Sequence, residues 1–285
     1  MGFLERMLIS AAPLAIASTG ALFTELAGVL GIFTEGFMTA GAFFSWVIAV
    51  RTGSVFLGAA SSAAAAAIAG WALARFVRKT GANPFIAGLA VNISAAGITD
   101  ALSTVWFGTK GVLRSPEFII PRPIHSVYFS WLAVIAAVIF IGHTPWGLRL
   151  RASGLSPGAA KERGIRPGLY WEAAWALSAF LAALAGAFLC YRVGSYTPGG
   201  VAGRGWISLA AVFLGFRHAG GVYIAALVFA LAEMAGQNIQ GIAGIPAAAL
   251  LGHLNAGFPT ALALLLYVVS QWTKKQKQII MKRKK

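Results

Sequence analysis

Charge is what this 285-residue sequence has least of: 11% of its residues are Asp, Glu, Lys or Arg, and only eight are acidic. A soluble domain carries about 25% charged residues, so a water-facing surface of ordinary size cannot be made from this chain. Cysteine occurs once, at Cys190, which excludes an intramolecular disulfide and a CxxC metal clasp. The four histidines, His125, His143, His218 and His253, stand far apart, with no HxxxH or HExxH spacing, so no metal ligand set is expected. No GxSxG and no Cys/His arrangement offers an activated nucleophile, and no catalytic residue is expected. Gly203-Arg204-Gly205 opens like GxGxxG, but Ser208 stands at the third glycine position. A Walker A sequence, GxxxxGK[ST], is also missing, so any nucleotide-driven step must use a nucleotide bound by another subunit.

What the sequence does have is apolar length. Hydrophobic residues make up 58% of it and the mean hydropathy is +0.76. That excludes a disordered chain, collagen, a coiled coil and a disulfide scaffold, and leaves a multi-pass membrane protein. Apolar runs cover 8–22, 37–50, 55–76, 85–107, 127–142, 170–192, 203–216, 220–234 and 256–272, while 23–36 is too interrupted by Gly and Glu to read as a clean span. At roughly 20 residues per crossing these runs predict an all-α bundle of about 8–10 transmembrane helices, some of them broken or re-entrant. Residues 1–273 form one membrane domain in this reading, followed by a basic tail, 274–285. The first run starts close to Met1 without a clear cleavage site and reads as a retained helix.

The net charge of +15 lies in the gaps between runs, not in an aromatic-lined basic groove, so no nucleic acid partner is expected. If the tail is cytoplasmic, the gaps at 75–79, 149–166 and 217 share its side. That side then holds 16 Lys and Arg against six on the other, as the positive-inside rule requires. The 34 glycines and the run Ser61 to Ala67 supply small faces for helix contact in lipid. Gly28, Gly31, Gly36 and Gly41 interrupt the first third of the chain, and Gly199, Gly200, Gly203 and Gly205 the last third. Paired interruptions of this kind point to transporter repeats around a midplane path, although glycine is common in membrane helices anyway. Glu25 and Glu35 flank the interrupted segment and, like Asp100 and Glu233, must face protein, water or a helix N-terminus. So little buried charge suits a neutral solute. Glu35, Asn92, Ser94 and Asn238 are candidate path-lining residues, each equally suited to an interhelical hydrogen bond.

The longest basic gap, Thr144 to Arg166, contains Ser156-Pro157, a helix start with Ser as N-cap and Pro in the first helical position. Ala159, Ala160, Lys161 and Glu162 favour helix and Gly164 can end it, giving about two turns with a small-residue face. Such a face fits a groove on a partner. The run from Thr144 to Arg166, in a cytoplasmic loop read as 144–168, resembles the coupling loop of permease subunits of bacterial ABC importers of the branched-chain amino acid/ribose/nucleoside type, close to GLRLRAxGxxPxAAxxxGI. Three further segments are similar to that family, in the same order: Ala27 to Met38 to its GVxNIGxEGxM, Phe85 to Asn92 to its VxGxxxN, and Gly203 to Gly215 to its GxGfxxLAaxxxG. The nucleoside and simple-sugar branch, which includes riboflavin importers, is the most similar.

The resemblance implies a type II importer-like fold in the bacterial inner membrane, with a cytoplasmic C-terminus. It implies a second permease, often a different homologous chain, two ATP-binding subunits that hold ATP and Mg, and a substrate-binding lipoprotein or periplasmic protein. This chain would bind no cofactor and no metal. It would meet the ATPase through Gly154, Leu155, Ser156, Pro157, Ala159, Ala160 and Gly164, and would pass a small solute, most simply a nucleoside, by alternating access. The sequence departs from the family pattern at Gly31, where Asn is usual, at Phe33, where Gly is usual, and at Leu155-Ser156, where a polar pair is usual. Riboflavin or a monosaccharide as solute, and a lone ion-coupled carrier, are the alternatives. An intramembrane enzyme ranks last, for want of a metal cluster, an acidic pair or a nucleophile–base pair.

Overall fold

A computed structural model describes residues 2–115 and 125–242. Among these residues ten helices follow one another: α1 (Phe3–Leu26), α2 (Thr34–Thr52), α3 (Val55–Thr80), α4 (Pro84–Phe107), α5 (His125–His143), α6 (Pro145–Leu155), α7 (Pro157–Glu162), α8 (Pro167–Val193), α9 (Arg204–Leu214) and α10 (Ala219–Ile242). Among the described residues the only β-type pairing is one bridge, Leu113 with Tyr196. Five of these helices are long and apolar enough to cross a membrane: α1, α3, α4, α5 and α8. The architecture is the all-α membrane bundle expected. Eight of the nine apolar runs fall on helices; the ninth, 256–272, the tail 274–285 and His253 lie outside the described residues.

At 1.5 Å per residue α8 is about 40 Å long, and α1, α2 and α3 pack around it. Packing in lipid depends on close approach, because the tails are as apolar as the side chains. The α2–α8 crossing shows how close. A Cβ on Gly186 would lie 2.0 Å from the Met38 carbonyl oxygen, and one on Gly41 would lie 2.3 Å from that of Ala183. Gly36 and Gly41 therefore sit inside α2, where they admit neighbouring backbone and do not break the helix. Phe33, Trp175 and Phe37 fill the core beside this crossing, with Phe33 and Trp175 fully buried and 4.7 Å apart at their ring centroids. By contrast α4 and α5 expose Ile86, Ile93, Val105, Leu132 and Ile135, which in water would be a liability and in lipid is a solvated face.

α1 is covered nearly all round, by α8, α5, α9 and α10. It stops at Leu26, and residues 27–33 are non-helical before α2 begins at Thr34. Gly28, at φ +85°, provides the left-handed turn. This break lies where the sequence read as too interrupted for a span.

Candidate functional site

Two features of the bundle stand apart from ordinary packing: a bend that projects from one end, and a short helix held inside. The bend is α6–α7. Thr144 caps α6 by accepting from Gly147 N at 3.2 Å, with Pro145 in the first turn. Ser156 is shared by both helices, its N–H donating to Ala152 O and its carbonyl accepting from Ala160 N. Its side chain makes no cap bond, so the expected Ser N-cap is present in position but not in hydrogen bonding. α7 closes at Gly164, φ +75°, with Ile165 N donating to Ala160 O at 3.0 Å. Leu155 is 85% exposed, and Ser156, Pro157, Ala159 and Gly164 are exposed too, whereas Ala160 turns inward and is buried. The face offered outward is therefore Leu155, Pro157 and Ala159.

The bend is anchored to the bundle by glycine against glycine. A Cβ on Gly154 would stand 2.2 Å from Leu26 O and 2.8 Å from Gly28 N; one on Gly28 would stand 2.9 Å from Gly154 O. Backbone meets backbone there, at the start of the break between α1 and α2. At the same end Glu172, near the start of α8 and only 3% exposed, takes Arg78 Nε at 2.7 Å and Arg78 Nη2 at 2.5 Å on one oxygen, with Arg75 3.8 Å from the other.

Residues following the break meet the second feature. Glu35, in the first turn of α2, accepts from Gly203 N at 2.9 Å and Gly205 N at 2.6 Å. These are N–H groups at the start of α9, whose own N-cap is Gly203 and has no side chain to satisfy them. α9 has 11 residues, about 16 Å, too short to cross. It is the broken element foreseen for the last third of the chain, entered through left-handed Gly199, Ala202 and Gly203. At its other end Phe216 and Arg217 are also left-handed, a strained turn for non-glycine residues, and Arg217 Nη2 reaches Glu25 Oε1 at 2.6 Å. Arg204, the first residue of α9, pairs with Glu233 of α10. Glu25 and Glu233 thus each find a counter-ion on another segment of the chain. A cavity of about 180 Å³ adjoins this start of α9, lined among others by Thr39, Arg192, Tyr196, Thr197 and Arg204.

The four expected path residues separate. Asn92 accepts from Gly36 N at 2.7 Å and donates to Ile32 O at 2.8 Å, tying α4 to the end of the break and the first turn of α2. Glu35 is likewise engaged by backbone. Ser94 is exposed on α4, and Asn238 lies on α10. The family departures have local causes. A side chain at Gly31 would meet Thr24 Oγ1 at 2.9 Å and the Phe33 ring at 3.3 Å, and Phe33 occupies the core against Trp175. Sequence reasoning missed Glu172, Arg204 and α6. Thr144-Pro145 carries the same start signal as Ser156-Pro157 and could have revealed α6.

Residues 3–270 match the family described as branched-chain amino acid transport system / permease component. The chain belongs to that family. Over 269 residues the permease is 30% identical to the nucleoside ABC transporter permease protein NupC of Lactococcus lactis, covering 84% of each chain. It is 30% identical over 256 residues to the guanosine ABC transporter permease protein NupQ of Bacillus subtilis, covering 79% of each. With the putative glucose ABC transporter permease protein TsgC13 of Haloferax volcanii the identity is 27% over 276 residues, 89% of this chain and 83% of that one. No solved structure matches. The protein is a multi-pass membrane permease subunit of an ABC importer, a family that works with ATPase and substrate-binding subunits.

Proposed function

We propose that this permease imports a nucleoside across the bacterial inner membrane by alternating access, and that the α6–α7 bend takes the movement from an ATPase subunit. The observation that carries the reading is the bend itself. It is a projecting pair of short helices with Leu155 85% exposed beside Pro157 and Ala159, an apolar face that no element among the described residues covers. Gly154, Ser156, Ala160 and Gly164 shape the bend; Leu155, Pro157 and Ala159 meet the groove. The chain acts without a catalytic residue, metal or cofactor of its own, and ATP and Mg belong to the partner subunits. A second permease, a different but homologous chain, completes the path, and a lipoprotein or periplasmic protein delivers the solute. The bend faces the cytoplasm, together with the C-terminal tail.

Nucleoside as solute is supported by the two relatives named for nucleoside and guanosine transport. A monosaccharide is the second reading, favoured by the relative named for glucose. Ser94, exposed on α4, and Asn238, on α10, are the path-lining residues retained from the four; Glu35 and Asn92 serve as ties between segments. The test is reconstitution of the complete importer in vesicles, with radiolabelled nucleoside outside and ATP inside. Ala159→Glu should leave membrane insertion intact and abolish ATP-dependent uptake; unchanged uptake refutes the role of the bend. Uptake of glucose with none of nucleoside moves the assignment to the second reading.

A further inference from the structure

Glu25 and Glu35 stand on the two sides of the break between α1 and α2, and each holds one end of the same half-helix. Glu35 takes the backbone N–H groups of Gly203 and Gly205 at the start of α9, and Glu25 takes Arg217 just beyond its end. The break between them meets the α6–α7 bend backbone against backbone at Gly28 and Gly154, with Ala27 in one buried cluster with Leu150 of α6. A Cβ at Gly154 would stand 2.2 Å from Leu26 O, so nothing compressible separates the bend from the break. From these contacts we infer that Glu25 and Glu35 are positioning residues that make α9 follow the α6–α7 bend, so that the half-helix moves as a rigid body when the bend is displaced. This rests on the reading of the bend as the place where the ATPase acts.

The surroundings of α9 fit a body that moves. Its start adjoins the cavity of about 180 Å³, which gives that end room to shift. Its connection to α10 is a strained turn, Phe216 and Arg217 both at positive φ, held where it is by the ion pair to Glu25. The break is stiffened from within, since Thr24 Oγ1 accepts from Gly31 N at 3.0 Å and Thr34 Oγ1 donates to Gly31 O at 2.6 Å. Phe33 is wedged between Trp175 and Phe37. A stiff break with two carboxylate ends can push as well as pull. A shift at Gly28 is therefore handed on to α9 in place of being absorbed locally.

The experiment measures ATP hydrolysed per solute taken up by the reconstituted full importer, for Glu35→Gln, Gly154→Ala and the two together, with Ala159→Glu as reference. Glu35→Gln keeps the size of the side chain but removes the charge that the two N–H groups share. It should raise the ratio by about tenfold, the expected effect of weakening charge-assisted hydrogen bonds, while ATPase subunits still co-purify. Because both residues act along one line of contacts, the double variant should match the worse single variant. A multiplied effect, or a normal ratio in Glu35→Gln, overturns the inference. If Glu35→Gln fails to assemble, Arg217→Gln, whose side chain is 56% exposed, carries the test from the other end. It must raise the ratio too, and an unchanged ratio overturns the inference. Failure of the underlying reading looks different: Ala159→Glu would then transport normally, whatever the glutamate variants do.

Discussion

Arg78 and Glu172 form one contact, yet removing either should have unequal consequences. Glu172 is 3% exposed, so its carboxylate cannot hydrate if its partner is lost, whereas the Arg78 side chain is 40% exposed and can. Arg78→Ala leaves the carboxylate with Arg75 alone, at 3.8 Å. Breaking a buried pair from this side costs about 3–5 kcal/mol, and the remaining arginine puts the expected loss near the low end, about 3 kcal/mol. Glu172→Gln leaves a guanidinium already in contact with water and retains one acceptor oxygen, for a loss of about 1 kcal/mol. For a chain of this size these translate to roughly 6–12 °C and 2–4 °C in the melting midpoint. The double variant should behave like Glu172→Gln alone, because the buried charge has gone, giving a coupling of about 3 kcal/mol. The assay is heating of detergent-solubilised permease followed by size-exclusion recovery of the monodisperse peak. Equal midpoints for the two single variants, or additive losses in the double, would refute the argument that burial of the carboxylate dominates.

Gly186→Val should abolish recovery of folded permease, because its Cβ would lie 2.0 Å from the Met38 carbonyl and neither backbone can give way; size exclusion after solubilisation reads the loss. Tyr191→Phe should destabilise the permease modestly, by about 1–2 kcal/mol, since the hydroxyl lies 3.2 Å from Ser45 O and 3.0 Å from Val55 O. Its ATP-to-solute ratio should stay normal.

Much of this bundle was legible in the sequence because lipid imposes a simple rule: a span is a long apolar run. The runs 8–22, 55–76, 85–107, 127–142 and 170–192 each fall within a described helix. The break at 27–33 was legible too, from Gly28 and Gly31 with glutamates on both sides. Helix ends with Pro after Ser or Thr announce themselves, and α7 was read on that basis. What stayed hidden was pairing across distance. That Glu35 would satisfy α9, 168 positions later at Gly203, has no local signature, because a trans cap needs only a carboxylate and a helix start brought together by folding. The same holds for Glu172 with Arg78. Glycines were ambiguous for another reason: Gly28 supplies a positive φ, whereas Gly36, Gly41 and Gly205 admit backbone or a side chain, and composition alone cannot separate the two uses.

The position of α1 at the middle of the bundle has a consequence for synthesis. Its flanks carry Ser18, Thr19 and Thr24, all buried in the finished protein, and the helix α8 that covers much of it ends about 170 residues later, some ten to thirty seconds at ordinary translation rates. Throughout that interval the face of α1 that α8 will cover must rest against lipid or the insertion machinery, with Thr19 and Thr24 bonded only within their own helix. Newborn chains of this permease are therefore most vulnerable to quality-control proteases before α8 arrives, and substitutions that raise the polarity of α1 should act on yield long before they act on transport.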